Sequence, residues 1–348
     1  MQTIYDLDTP SLIVDLDVME DNLARMQRYC DSHGIGLRPH IKTHKIPALA
    51  QKQLDLGAVG IACQKLGEAE VMADAGLTGI MIPYNLVGRQ KLERLAHLAQ
   101  RADVIVAVDS VEVAGPMASY LSERGLVVGA VIELGSELNR CGVTSAAAAL
   151  TLAHEIEAVE GLRFEGIMTY PSSIKSMPLV IETVSALNAA GLPCKMVSGG
   201  GTPTAYTSHD FQGLTEIRAG TYIFNDASYL RNKVCTLDQC ALKVIVTVVS
   251  APTAGRVIID GGTKTFSSDM GYPMGYILEY PQAAIYQMSE EHGFVDITEC
   301  TPGPKIGERL TVIPNHACGT LNMHDSLIAH RGENVEIQWN IAARGRIR

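Results

Sequence analysis

Short apolar runs alternate with longer amphipathic stretches through the first two-thirds of the chain, and this rhythm restricts the available folds more than any other feature. The strand candidates are SLIVDL (11–16), GLRPH (36–40), GIACQ (60–64), GIMIPY (79–84), VIVAVD (104–109), VGAVIEL (128–134), FEGIMTY (164–170) and KMVSGGG (195–201). Helical patterns fall between them. In DVMEDNLARMQRYCDSHG the residues Met19, Leu23, Met26 and Tyr29 recur at helical spacing, and the stretch ends on Gly34. SAAAALTLAHEIEAV is a second helix candidate. Nearly continuous apolar strands separated by helices imply parallel strands covered on both faces. About eight such units in roughly 220 residues fit a TIM-like (β/α)8 barrel, with an open doubly wound sheet as the competing arrangement. Beyond about residue 238 the texture changes: ALKVIVTVVSAP, GRVIIDGGTKTFSSD, ERLTVIPNHAC and VEIQWNIAARG are β-type runs separated by turn residues. The expected organisation is therefore α/β, with a barrel over 8–237 and a second, mostly antiparallel β domain over 238–348. Residues 1–7 are candidates to join the second domain.

Composition narrows the function classes. Hydrophobic residues make up 47% of the 348 and charged residues 19%, as in a globular protein with a substantial core. A formal net charge of −10 argues against a nucleic-acid partner. No basic n-region precedes an apolar stretch at the N-terminus, and no apolar run approaches the ~20 residues that span a bilayer, so neither export nor a membrane partner is expected. The eight cysteines are scattered without a CxxC pair. Disulfides are one reading of them. Reduced thiols of a cytoplasmic protein are the reading adopted.

Three stretches carry the chemistry. LRPHIKTHKIP (37–47) crowds Arg38, His40, Lys42, His44 and Lys45 together. If GLRPH is the second barrel strand, Lys42 lies just past its C-terminal end, the face on which barrel enzymes keep their sites. Crowding by cations and partial burial disfavour a lysine's charged form, which suits a carbonyl-capturing amine, although a solvated basic loop has the same composition. VSGGGTPTA (197–205) follows an apolar strand, and its glycines allow backbone N–H groups close to an anion; a flexible turn is the alternative. EIRAGTYIFND (216–226) adds Arg218, Gly220 and Tyr222. In PNHACGT (314–320), His316 and Cys318 stand two apart. In an extended strand both would face one side, as an imidazole–thiolate pair for Zn2+; a buried cysteine near a hydrogen-bonded histidine is the alternative. Two protein ligands leave positions open for water or substrate. Lesser signals are Arg140 in GSELNRCGV, Tyr170 in TYPSS, and Glu291 with His292 in SEEHG.

Taken in order, DTPSLIVDLD, RPHIKTHK, NRCGV, SGGGTPT, EIRAGTYIFND, EHG, PNHAC and the final AARG resemble the fold-type III pyridoxal-phosphate enzymes, the alanine racemase-like group. Within it the chain is most similar to the branch of D-threonine aldolase and D-serine or D-3-hydroxyaspartate dehydratase. The resemblance implies that the first lysine of RPHxKxxK, Lys42 and not Lys45, carries pyridoxal 5'-phosphate. It implies that Arg140 approaches the phenolate side and that Tyr170 lines the cofactor. Gly200, Gly201, Thr202, Gly220 and Tyr222 would hold the phosphate, and Arg218 would face the pyridine nitrogen. His316 and Cys318 would bind a divalent metal, Zn2+ or Mn2+. Aldolases of the branch carry H-x-D where this chain has H-x-C, the dehydratase form, and Arg218 replaces the glutamine typical of the aldolases. TLNMHD (320–325) and AARG are aldolase-like.

The function implied is that of a pyridoxal-phosphate- and metal-dependent lyase for small β-hydroxy-D-amino acids. The leading expectation is D-threonine aldolase-type cleavage to glycine and an aldehyde, with Lys42, His316 and Cys318 as the catalytic set. The alternative is a deaminating D-serine or D-3-hydroxyaspartate dehydratase with Lys42 as the Cα base. A racemase using Tyr280 or Tyr286, and a non-catalytic cofactor carrier, rank lower. The resemblance also implies a homodimer.

Overall fold

A computed structural model describes residues 2–348. It divides into two compact units. One comprises Arg25–Lys42, Pro47–Gly220 and Arg346–Arg348; the other runs up to Ala24 and adds Thr43–Ile46 and Thr221–Gly345.

The first unit holds an eight-stranded parallel sheet: Gly36–Leu37, Ile61–Ala62, Ile80–Ile82, Val104–Val108, Val128–Leu134, Leu162–Thr169, Met196–Gly199 and Glu216–Ile217. From the second strand onward each pairs with the next in sequence, and the last pairs with the first. The remaining gap, between the first and second strands, is closed by backbone bonds: Val59 N to Leu37 O at 2.8 Å, Ala62 N to Pro39 O at 2.9 Å and Ile41 N to Ala62 O at 2.9 Å. The sheet is therefore a barrel with no free edge, the arrangement expected from the strand–helix rhythm. Helices Pro47–Asp55, Leu66–Asp74, Arg89–Ala99, Val111–Ser122, Ala146–Glu157 and Met177–Ala189 follow the first six strands, and a 3-10 helix, Thr202–Asp210, follows the seventh. The alanine-rich helix begins where its sequence signals it, with the Ser145 hydroxyl accepting from Ala148 N at 3.2 Å.

Two expectations are corrected. Ser11–Asp15 is not a barrel strand: it pairs antiparallel with Leu242–Thr253 and parallel with Ser326–Arg331 in the other unit. GLRPH is consequently the first barrel strand and not the second. The eighth strand is Glu216–Ile217, which the apolar pattern does not mark.

Strand alternation and register place Met81, Ile105, Ala107, Val131, Met168 and Met196 on the same side of the sheet as Glu133, Ser198 and Glu216. The apolar members form a packed cluster. The polar members meet the ends of the first and last strands. Glu216 accepts from Arg38 Nε at 2.9 and 3.0 Å and from Ser198 Oγ at 2.6 Å, and Ser198 Oγ accepts from Arg218.

The second unit is a mixed, mostly antiparallel sheet in the order Ala284–Met288, Gly293–Asp296, Arg256–Ile259, Leu242–Thr253, Ser11–Asp15, Ser326–Arg331, Asn334–Asn340. Arg309–Ile313 pairs with both Leu242–Thr253 and Tyr276–Ile277. The long strand Leu242–Thr253 organises it, because three strands bond to it and both of its faces are buried near the centre. Among the described residues no helix is long and apolar enough to cross a membrane.

The Arg38–Glu216 pair is almost fully enclosed, at 6% and 5% side-chain exposure. Removing one member leaves an uncompensated buried charge. Glu216→Ala should therefore lower unfolding stability by about 3–5 kcal/mol, whereas replacing both residues by apolar ones of similar volume should recover most of that loss. Denaturant midpoints at constant m-value check both.

Candidate functional site

The five basic residues of 37–47 have different fates. Arg38 is neutralised by Glu216. His40 is buried, with its ring 3.0 Å from Gln64 Oε1. Burial first, then the nearby Lys42 charge, hold its imidazole well below the usual histidine range, so it is neutral at pH 7. His44 and Lys45 lie in the other unit, both buried; Lys45 has φ 58° and its carbonyl accepts from Ala343 N at 3.0 Å. Lys42 is half-buried, just past the first strand's C-terminal end. Among the described residues no carboxylate pairs with it.

Lys42 and Arg140 converge on Tyr170. Lys42 Nζ lies 6.0 Å from the Tyr170 ring centroid and Arg140 Cζ 5.6 Å from it. Arg140 also reaches Glu133 at 3.5 Å. Burial pushes the Glu133 carboxyl up, and Arg140 opposes that shift. Tyr170 is anchored from below, its carbonyl accepting from Ser136 Oγ at 2.7 Å.

The glycine loop packs against the same tyrosine. A Cβ on Gly201 would stand 3.0 Å from Tyr170 Cε2, and one on Gly199 would stand 2.2 Å from Ser172 Oγ. Gly200 has φ +75°, and a Cβ there would meet Ile217 Cβ at 2.9 Å. Position 200 in this turn therefore favours glycine. The Gly200 N–H donates to Ser172 Oγ at 2.6 Å, so its part in an anion cradle is the turn itself. Gly220 is buried in the barrel unit, and Tyr222, 2% exposed, lies in the short 3-10 helix Thr221–Ile223 of the other unit.

Arg218 is buried, with burial pulling its guanidinium down to about 10, still charged at neutrality. It donates to Thr169 O at 2.9 Å and to Ser198 Oγ. The Thr169 hydroxyl, on the same strand end, is buried without a hydrogen-bond partner. An unpaired amine, a ring platform, a glycine turn that excludes any Cβ, a fixed cation and an orphaned hydroxyl fit a phosphorylated pyridine aldehyde.

In the second unit the turn at 314–318 departs from the expected strand. Arg309–Ile313 ends before it, His316 is the N-cap, and Cys318 sits in the first turn of a short helix, Ala317–Leu321. The pair still meets. A hydrogen bond with Cys318, supported by Asp269, raises the His316 imidazole to about 9. His316 Nδ1 lies 2.7 Å from Asp269 Oδ2. The sulfur is 3.2 Å from the hydroxyl of Thr43, the residue after Lys42 in the chain, and 3.7 Å from that of Thr221. One imidazole and one thiol suit Zn2+. Among the described residues no three His, Cys, Asp or Glu are arranged to hold a cation, so such an ion would have two protein ligands and open positions. Glu291 and His292 are exposed, and Glu291 pairs with Lys264 at 3.0 Å, a surface role.

Sequence reasoning missed Ser172, Thr169, Asp269 and Asn315. Each acts through a contact distant in sequence, as with Asp269 and His316, 47 positions apart, and no local spacing announces it.

The chain is similar along its length to known proteins. The alanine racemase N-terminal domain family matches residues 14–228, and a putative serine dehydratase domain family matches 241–330. A D-threonine aldolase of Arthrobacter sp. is 34% identical, over 97% of this chain and 93% of its own. A D-threo-3-hydroxyaspartate dehydratase of Delftia sp. (strain HT23) is 32% identical, over 91% of this chain and 93% of its own. The crystal structure of D-threonine aldolase from Filomicrobium marinum superposes with a TM-score of 0.95 at 34% identity, covering 100% of this chain and 99% of that one. The chain belongs to the alanine racemase-like, fold-type III family of pyridoxal-phosphate enzymes.

Proposed function

We propose that this protein is a pyridoxal-phosphate- and divalent-metal-dependent lyase that cleaves β-hydroxy-D-amino acids to glycine and an aldehyde, as a D-threonine aldolase does. The observation that carries the reading is the end-to-end match to the Filomicrobium marinum aldolase. The gathering of Lys42 and Arg140 round Tyr170 supports it. When bound, the cofactor supplies an electron sink for charge developing at the substrate α-carbon, and a divalent cation polarises the β-hydroxyl.

The chain's own groups do the rest. Lys42 holds the cofactor aldehyde and stands ready to move a proton at the α-carbon. Arg140 and Tyr170 orient the ring. Gly201, Thr202, Gly220 and Tyr222 hold the phosphate, with Gly200 shaping the turn. Arg218 can only donate hydrogen bonds, so it would leave a facing ring nitrogen unprotonated. His316 and Cys318 hold the cation, Zn2+ or Mn2+, that lowers the pKa of the β-hydroxyl. The substrate is a small zwitterion, with no nucleic-acid or membrane surface required, and the enzyme is a cytoplasmic homodimer.

A dehydratase is the second reading. Cys318 at the second metal position and the arginine at 218 favour it. A racemase is less well supported: Tyr280 donates to Glu308 at 2.6 Å, and that bond, with burial, holds its hydroxyl up to about 12, far from the range of a neutral-pH acid–base group.

Incubation with D-threonine separates the readings. Glycine with acetaldehyde is the expected outcome; ammonia with 2-oxobutyrate would replace the aldolase by the dehydratase. Lys42→Ala should abolish the absorbance of covalently held cofactor and cut turnover by at least about 10²–10⁴-fold, while Lys45→Ala keeps the band. A persisting band in the first variant moves the linkage to another lysine. Cys318→Ala should lose bound metal and activity together, as metal analysis beside the product assay would record; full activity in a metal-free preparation removes both ligands from the mechanism.

A further inference from the structure

The turn that carries His316 is fixed from behind by its neighbour. Asn315 is fully buried and all four of its side-chain hydrogen-bond directions are used. Its oxygen accepts from Arg231 Nη2 at 2.7 Å and Gly275 N at 2.8 Å; its amide donates to Gly271 O and Pro273 O, both at 2.9 Å. Three of those partners lie in the loop that begins at Asp269, so one side chain ties that loop to the 314–318 turn. Asp226 secures the far side, accepting from Ala317 N at 3.2 Å. Within this frame Asp269 is itself held. One oxygen accepts from Ser267 Oγ, the other lies 2.7 Å from His316 Nδ1. Ser267 fills the space beside Gly319, where an added Cβ would stand 2.2 Å from its hydroxyl.

We infer that Asp269 is a positioning residue for metal binding: it fixes the proton of His316 on Nδ1, sets the ring's rotation, and presents Nε2 as the ligand nitrogen beside the Cys318 sulfur. The inference rests on the reading of His316 and Cys318 as the metal pair. Asp269 is no third ligand, because it faces the ring nitrogen that it occupies. A carboxylate on the far nitrogen raises the imidazole's basicity as a ligand and removes the rotational freedom that binding would otherwise have to arrest.

The test uses the full chain loaded with pyridoxal phosphate, stripped of metal, and titrated with Zn2+ in competition with a chromophoric chelator. Asp269→Ala should bind Zn2+ about 10–100-fold more weakly. Asp269→Asn, whose side-chain oxygen can still accept from Nδ1–H, should fall between Ala and the parent. Cobalt titration should show the sulfur-to-metal charge-transfer band in parent and Asn variant at their respective affinities. Cofactor absorbance of the metal-free proteins should not move. Zn2+ affinities of both variants within about twofold of the parent overturn the inference while leaving the metal pair intact. If Cys318→Ala binds Zn2+ as tightly as the parent, the metal-pair reading itself fails, and the role of Asp269 falls with it.

Discussion

One carboxylate, that of Glu216, sits where the first and last barrel strands meet, and the charge balance of the barrel mouth is built round it. Arg38 bonds to it directly and Arg218 reaches it through Ser198. A cation enclosed at this depth without such a partner would cost several kcal/mol, roughly, after relaxation. With Arg38 compensated and His40 discharged by burial, Lys42 is the amine left at the rim without a carboxylate. The crowd of positive residues seen in the sequence therefore resolves into one structural cation, one neutral ring, and one amine with no carboxylate partner among the described residues. His44 and Lys45 belong to another part of the fold.

The barrel was legible because its middle strands are apolar on both faces. Val128–Leu134 is buried at every position, and such a run has few other homes. The same logic misplaced Ser11–Asp15, since three buried apolar residues read alike in a parallel barrel and in the centre of a mixed sheet. Only the pairing of Leu12 with Val244 separates the two. The eighth strand escaped for the opposite reason. It is two residues long, opens on a buried glutamate and is followed by an arginine, so the polar network that the mouth requires erases the apolar signal.

The site divided along similar lines. Lys42, Arg140, Tyr170 and the glycine loop lie at strand ends, where short motifs carry the geometry with them. Spacing two between His316 and Cys318 suggested an extended strand; the structure obtains the same meeting from an N-cap and a first helical turn, so the pairing was legible and its conformation was not. Asp269, Asn315 and Ser172 were not legible at all. Their roles follow from side chains folded back across long loops. The glycines at 199–201 also prove to be packing devices, since Ser172, Tyr170 and Ile217 press against their α-carbons.

The turn gripped by Asn315 has a consequence for the proposed metal pair. Backbone placement at 314–318 depends on asparagine and aspartate bonds that do not involve position 318. On the proposed reading of His316 and Cys318 as the metal pair, exchanging the thiol there for an oxygen donor would change the softness of the second donor, tilting preference from zinc toward manganese or magnesium. A lineage meeting scarcity of one ion could thus drift to another by a single codon change, without rebuilding the fold around it.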